Sequence, residues 1–372
     1  MTVAVVDSGV DGAHPQLAGQ VLAGFDFLRD SAGADFDCTS HGTAVASLIA
    51  ARPTPGVGFA GLAPGAKILP IRVSDREEGT DGEAASPEVF AKAIRYAADH
   101  DARIINLSLS LDRDYPAVAA AVDYAVHGKG ALVVAAVGNH HAGATPPPIG
   151  EGRAATVDDA PSYPANYPDV LGVGGINQDG TRLDESQVGT YVDLAAPGNV
   201  VLGATRQRGH QYWKGTSFAA PLVSAAAALV WSAEPGLSNT DVAWRLEATA
   251  DRMAGSARSP EFGYGLIDPY RALAEHPPRP QTADTPAPIP PALRDPAGAA
   301  RSDRWQATGR IAAATGLGLL IAALLVGTMR AAARRGRARN WRPGAARVNQ
   351  DTKRDPEIEP EHVFYALPNR HD

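Results

Sequence analysis

Cysteine is nearly absent from this 372-residue chain, with Cys38 the single one. One thiol excludes an internal disulfide framework and a Cys-rich zinc module. Basic residues are outnumbered, 34 Lys+Arg against 41 Asp+Glu, for a formal charge of −7. That balance gives no reason to expect a nucleic-acid partner. Internal repeats are lacking as well. Two local absences are sharper. Residues 311–329 carry no charge, and residues 330–347 carry seven Arg and no acid. What the chain does have is 44% hydrophobic residues against 20% charged, which excludes a wholly disordered protein.

The composition divides the chain into four expected parts. The body, 1–275, alternates short apolar runs with helical patterns. VAVV (3–6), KILPIRV (67–73), RIINLSL (103–109), ALVVAAV (131–137), VLGVGG (170–175) and YVDLAAPG (191–198) read as strands buried on both faces. Residues 87–100, 117–128, 217–233 and 239–248 read as helices. Such alternation predicts an α/β fold, three layers around a mostly parallel sheet. In such folds sites lie beyond the carboxyl ends of the strands. Residues 276–308 are a linker whose first part holds eight Pro, at 277, 278, 280, 286, 288, 290, 291 and 296. A run of this kind reads as an extended spacer.

Residues 309–329 read as one C-terminal transmembrane helix. The 19 residues Ile311–Met329 lack charge, and at about 1.5 Å per residue they span roughly 28 Å, close to a hydrocarbon core. A buried core helix is the alternative. The tail, 330–372, begins with five Arg in ten residues, which places it in the cytoplasm and the body outside. Arg301, Arg304 and Arg310 on the other side weaken that vote without reversing it.

Three segments carry nucleophilic chemistry. In AVVDSGVD, Asp7 follows a buried strand; in SHGTAVASLIA, His41 opens an apolar helix; in GTSFAAPLVSAAAAL, Ser217 opens a helix with Pro221 placed in its first turn. A serine hydroxyl needs an imidazole to take its proton, and that imidazole needs a carboxylate on its other nitrogen. Each residue alone reads more simply as a turn former or cap. Gly42 and Gly215 leave room for close backbone approach.

VAVVDSGVDGAHPQL, HGTAVASLIA and GTSFAAPLVSAAAAL together resemble the signature blocks of subtilisin-like serine proteases. The likeness continues in GLAPGAKILPIRV, INLSLS, VVAAVGN, YPANYPDVLGVGG, LAAPG and GYGLIDPYRAL, nearly all of 1–274. By that resemblance Asp7 orients, His41 is the general base, Ser217 is the nucleophile and Asn139 is an oxyanion-hole donor. Ser108, Leu109, Ser110 and Gly138 would flank the backbone of a protein or peptide substrate, and Tyr163–Pro164 is a candidate cis peptide. No cofactor or metal is assigned: His140-His141 lacks spaced partners, and Asp30, Asp35 and Asp37 lack EF-hand spacing. Residues 140–162 read as a long insertion beside the cleft.

Within that family the sequence most resembles the mycosins, membrane-anchored proteases of type VII secretion. DCTSHGTAVASLIAARP, FAGLAPGAKILPIRVS and the linker, apolar segment and basic tail carry the likeness. It implies an extracytoplasmic catalytic domain, a single-pass membrane anchor and secretion-system membrane components as partners. A role as structural subunit, and a general degradative subtilase, are the alternatives. Mycosins begin with a signal peptide and an N-terminal extension, whereas here the Asp7 strand begins at once; the expectation is a true start further upstream. Cys38 is then either half of a bridge to that absent region or a small buried residue.

Overall fold

The computed structural model describes residues 1–75, 83–141, 159–253, 258–279, 329–335 and 337–338. Contacts divide the chain into one unit at Met1–Gln281 and another at Thr282–Asp372. In the second unit, residues 329–335 are helical, with Arg330, Arg334 and Arg335 exposed. The predicted membrane helix, apart from Met329, and most of the linker lie outside the described residues, as does most of the 140–162 insertion.

The first unit is built on an eight-stranded sheet. In chain order its strands are β1 (Thr2–Asp7), β2 (Phe25–Asp26), β3 (Ser31–Ala32), β4 (Lys67–Arg72), β5 (Ile104–Leu107), β6 (Leu132–Ala136), β7 (Val170–Ile176) and β8 (Leu194–Pro197). Their spatial order is β3-β2-β4-β1-β5-β6-β7-β8, and every pairing is parallel except β2 with β3. From β1 the chain goes out to the edge with β2 and β3, comes back beside β1 with β4, then crosses to the other side with β5 and builds outward through β6, β7 and β8. In open parallel sheets, sites lie outside the carboxyl ends of the strands at such a switch, here the end of β1.

Six helices cover the sheet: α1 (His41–Ala50), α2 (Pro87–Asp99), α3 (Pro116–Asp123), α4 (Thr216–Ala233), α5 (Asn239–Ala248) and α6 (Pro269–Ala274). Successive strand residues point to opposite faces. Val3 and Val5 therefore pack into a core with α1, α4, α5 and α6. Ala4 and Val6 pack into a second core with α2 and α3. Both faces being covered explains the continuous apolar strands. At about 1.5–3 kcal/mol per large apolar side chain removed from water, these two cores are the main source of stability. Trp231 sits at 0% exposure in the first, its indole N–H donating to Leu237 O at 2.8 Å; its loss to Ala costs about 3–5 kcal/mol.

Local signals set the helix ends. Pro87 follows the N-cap Ser86, whose hydroxyl accepts from Val89 N. Ser238 and Asp241 form a reciprocal capping box on α5. The 117–128 prediction divides into α3 and a π-helical turn, Tyr124–Gly128. A separate antiparallel pair, β9 (Asn199–Thr205) and β10 (Gly209–Lys214), leads straight into α4.

Candidate active site

Asp7 ends β1 and is 4% exposed. Its Oδ1 accepts from Ser8 N at 2.7 Å and lies 2.7 Å from His41 Nδ1. This contact fixes the imidazole tautomer and leaves Nε2 as the second ring nitrogen. His41 reaches Asp7 because α1 begins against the loop after β1. A Cβ on Gly42 would lie 2.0 Å from Gly9 O, so only glycine allows that approach.

The cap of α1 is unusual. Ser40 is its N-cap, at φ 77°, and its own side chain makes no cap bond. Asp37, three residues before it, does the work instead. Its Oδ1 accepts from Ser40 N at 3.0 Å and from Ser8 Oγ at 3.0 Å, and its Oδ2 from Thr43 N at 2.9 Å and Thr43 Oγ1 at 2.6 Å. One carboxylate thus ties the Asp7 loop to the His41 helix. The N-terminal dipole of α1 favours that negative charge.

Ser217 lies in the first turn of α4 and is half-buried. Phe218, its neighbour, places its ring 5.0 Å from the His41 ring and stacks on Trp213 of β10 at 5.0 Å. Gly215, at φ 131°, brings the chain into α4 beside Asn139. Asn139 Oδ1 accepts from Thr216 N at 2.9 Å and Thr216 Oγ1 at 3.0 Å. That double contact fixes the amide, oxygen toward the helix N-terminus. Its Nδ2 lies 3.2 Å from where a Gly215 Cβ would sit.

One sequence expectation is corrected. Pro221 is not in the first turn; the helix begins at Thr216, making Pro221 its sixth residue. An N–H at position 221 would bond the carbonyl four residues back, that of Ser217. Ser108 Oγ donates to that carbonyl instead, at 2.7 Å.

The other expected site residues lie on the same sheet edge. Ser108, Leu109 and Ser110 continue from the carboxyl end of β5, and Gly138 and Asn139 follow β6. A Cβ on Gly138 would lie 3.1 Å from Ser110 Oγ, so the two segments run side by side. Gln187 N donates to Gly138 O at 3.1 Å, and His141 N to Glu185 O at 3.1 Å. His141 Nδ1 and Asp159 Oδ2 are 2.7 Å apart where the insertion leaves and rejoins the fold. The Tyr163–Pro164 peptide is cis. Cys38 is exposed, which removes the reading of it as a small buried residue.

Asp37, Asn106 and Gln187 escaped sequence reasoning. Asn106 had a legible signal, a polar residue inside a strand otherwise apolar and buried. Asp37 had none, since its distant donor, Ser8 Oγ, meets it only in the fold. The arrangement can, chemically, take a proton from a hydroxyl through an imidazole held by a carboxylate.

Residues 1–265 match the subtilase family. The chain is 37% identical over 271 residues to a thermophilic serine proteinase of Bacillus sp. strain AK1, covering 73% of this chain and 61% of that protein. It is 35% identical over 319 residues to mycosin-1 of Mycobacterium tuberculosis, covering 76% of this chain and 71% of that one. Among solved structures, MycP1 from Mycobacterium smegmatis superposes with a TM-score of 0.63 at 31% identity, covering 78% of this chain and 84% of that chain. The MycP3 protease from the type VII (ESX-3) secretion system gives 0.59 at 33% identity, over 73% and 82% of the two chains.

Proposed function

The chain belongs to the subtilase family, and from that premise we propose that it is a serine endopeptidase working through Asp7, His41 and Ser217. The observation that carries the reading is the 2.7 Å contact of His41 Nδ1 with the buried Asp7 carboxylate, beside the α4 turn that holds Ser217. Ser217 Oγ attacks a peptide carbonyl while His41 Nε2 takes its proton. Asp7 keeps the tautomer and stabilises the imidazolium. The developing oxyanion accepts from Asn139 Nδ2 and Ser217 N. Their neighbours Thr216 N and Phe218 N are already taken, by Asn139 Oδ1 and Gly215 O. His41 then protonates the leaving amine, and water releases the acyl group by the same route in reverse. Residues 108–110 and 138, side by side beyond β5 and β6, offer backbone groups to an added substrate strand.

The same reading places the enzyme at a membrane, serving type VII secretion. The charge-free stretch 311–329 and the Arg cluster after it support a single anchor with the catalytic unit outside the cytoplasm, and the mycosin relatives support the secretion role. Ser217→Ala in the full-length protein tests the nucleophile, and fractionation of the wild type tests the anchor. Peptide hydrolysis by membrane fractions falls to background if Ser217 is the nucleophile, and hydrolysis that persists rejects it. Recovery of the wild type from the soluble fraction, with no alkali-resistant membrane pool, rejects the anchor.

A further inference from the structure

Resting on that catalytic reading, we propose that Asn106, Ser108 and Ser224 form a buried hydrogen-bond relay that positions the nucleophile's main chain, replacing the backbone donor that Pro221 removes. Ser224 Oγ donates to Asn106 Oδ1 at 2.9 Å, Asn106 Nδ2 to Ser108 Oγ at 2.8 Å, and Ser108 Oγ to Ser217 O at 2.7 Å. Asn106 and Ser224 are at 0% exposure and Ser108 at 4%. The relay leaves the middle of α4, crosses to β5, and returns to the start of the same helix.

Its polarity is fixed at every joint. A serine hydroxyl has one proton. Ser108 accepts from the Asn106 amide, so its own proton is committed to the Ser217 carbonyl. Ser224, donating to Asn106 Oδ1, sets which way that amide faces. Linked donors of this kind strengthen one another in a low-dielectric interior.

The consequence falls on Ser217. The chain is held on both sides of it, at the Gly215–Thr216 peptide before it and at its own carbonyl after it. Asn139 Oδ1 grips Thr216 N on one side, and Ser108 Oγ grips the Ser217 carbonyl on the other. Pro221 opens this second position by deleting the intrahelical donor. A side chain from another element can then set the backbone at the nucleophile, where a regular helix bond would otherwise set it. Ser108 is in this account a positioning residue, acting through Ser217.

The test is Ser108→Ala, Pro221→Ala and their combination in the full-length protein, with kcat and KM measured on a chromogenic peptide. Ser108→Ala leaves a buried carbonyl without its donor, and kcat falls about tenfold with KM within about twofold. Pro221→Ala restores an N–H four residues after Ser217, so the double variant recovers to within about threefold of wild type. Ser108→Thr, which keeps the hydroxyl, retains most of kcat, and Ser224→Ala loses about threefold. Unchanged kcat in Ser108→Ala overturns the relay. So does a rise in KM alone, which would make Ser108 a substrate contact, and so does a loss that Pro221→Ala leaves in place. If Ser108→Ala yields no folded protein, Ser224→Ala with and without Pro221→Ala decides in the same way. Ser217→Ala is run alongside. If it keeps activity, the catalytic reading fails; if it abolishes activity while Ser108→Ala matches wild type, only the relay fails.

Discussion

Replacing Glu247 by Gln should stabilise the catalytic unit at neutral and alkaline pH and do little in mild acid. Glu247, on α5, is pushed up from 4.5 to about 7, first by burial and then by the charge of Asp193, with Arg258 opposing. Asp193 is itself raised from 3.8 to about 6 by burial, against the lowering effect of the Gly172 amide and Arg258. A carboxyl whose folded value lies above its unfolded one binds its proton more tightly in the fold. Its stabilising effect is complete below about pH 4.5 and is lost as pH rises through about 7. Each pH unit of displacement is worth about 1.4 kcal/mol, so a shift from 4.5 to about 7 corresponds to about 3.5 kcal/mol, which solvent screening at this partly exposed side chain reduces to on the order of 2 kcal/mol. Gln keeps the shape and carries no charge. Unfolding in urea, followed from pH 5 to pH 8, should show Glu247→Gln gaining about 2 kcal/mol over wild type at pH 8, or about 4–8 °C in Tm, and converging with it near pH 5. Every other titrating group is common to the two proteins, so the growing gap reports this carboxyl and the neighbour coupled to it. Two curves separated by a constant offset would refute the reasoning.

Asn139→Ala removes the amide donor beside Gly215 and should lower kcat by about 10²–10³ with KM nearly unchanged; a larger change in KM than in kcat in steady-state assays would contradict that role. Asp37→Ala strands the buried amide of Thr43 and the Ser40 amide at the head of α1. It should cost about 2–4 kcal/mol in urea unfolding and reduce kcat as the His41 helix loosens from the Asp7 loop. Asp37→Asn, which keeps one acceptor oxygen, should lose less of both.

The strands were readable because the sheet is covered on both sides. β1, β4, β5, β6 and β7 have no solvent face to interrupt them, so each stands out as an apolar run. β8 is shorter than the apolar run 191–198 suggests, because residues 191–193 belong to the loop before it. The β9–β10 pair was not readable: only some of its residues are buried, and GHQYWK alternates weakly. β2 and β3, at two residues each, are too short to show any period. The expected site residues came from motif likeness, and periodicity could not have supplied them. Pro221 stands one turn deeper in α4 than its sequence context suggests, because sequence alone does not locate the first helical residue after Gly215. The polar partners that hold the site, Asp37, Asn106 and Ser224, belong to different elements, and their meeting depends on the packing of α1, β5 and α4.

The account rests on Ser217 being a hydroxyl activated through His41 and Asp7. Treating the full-length protein with a fluorophosphonate and mapping the adduct by peptide mass spectrometry tests this most directly. The account predicts a single phosphonylated residue, Ser217, in the wild type, and labelling at least 100-fold slower in His41→Ala. An adduct on any other residue, or equal labelling rates in the two proteins, would contradict it.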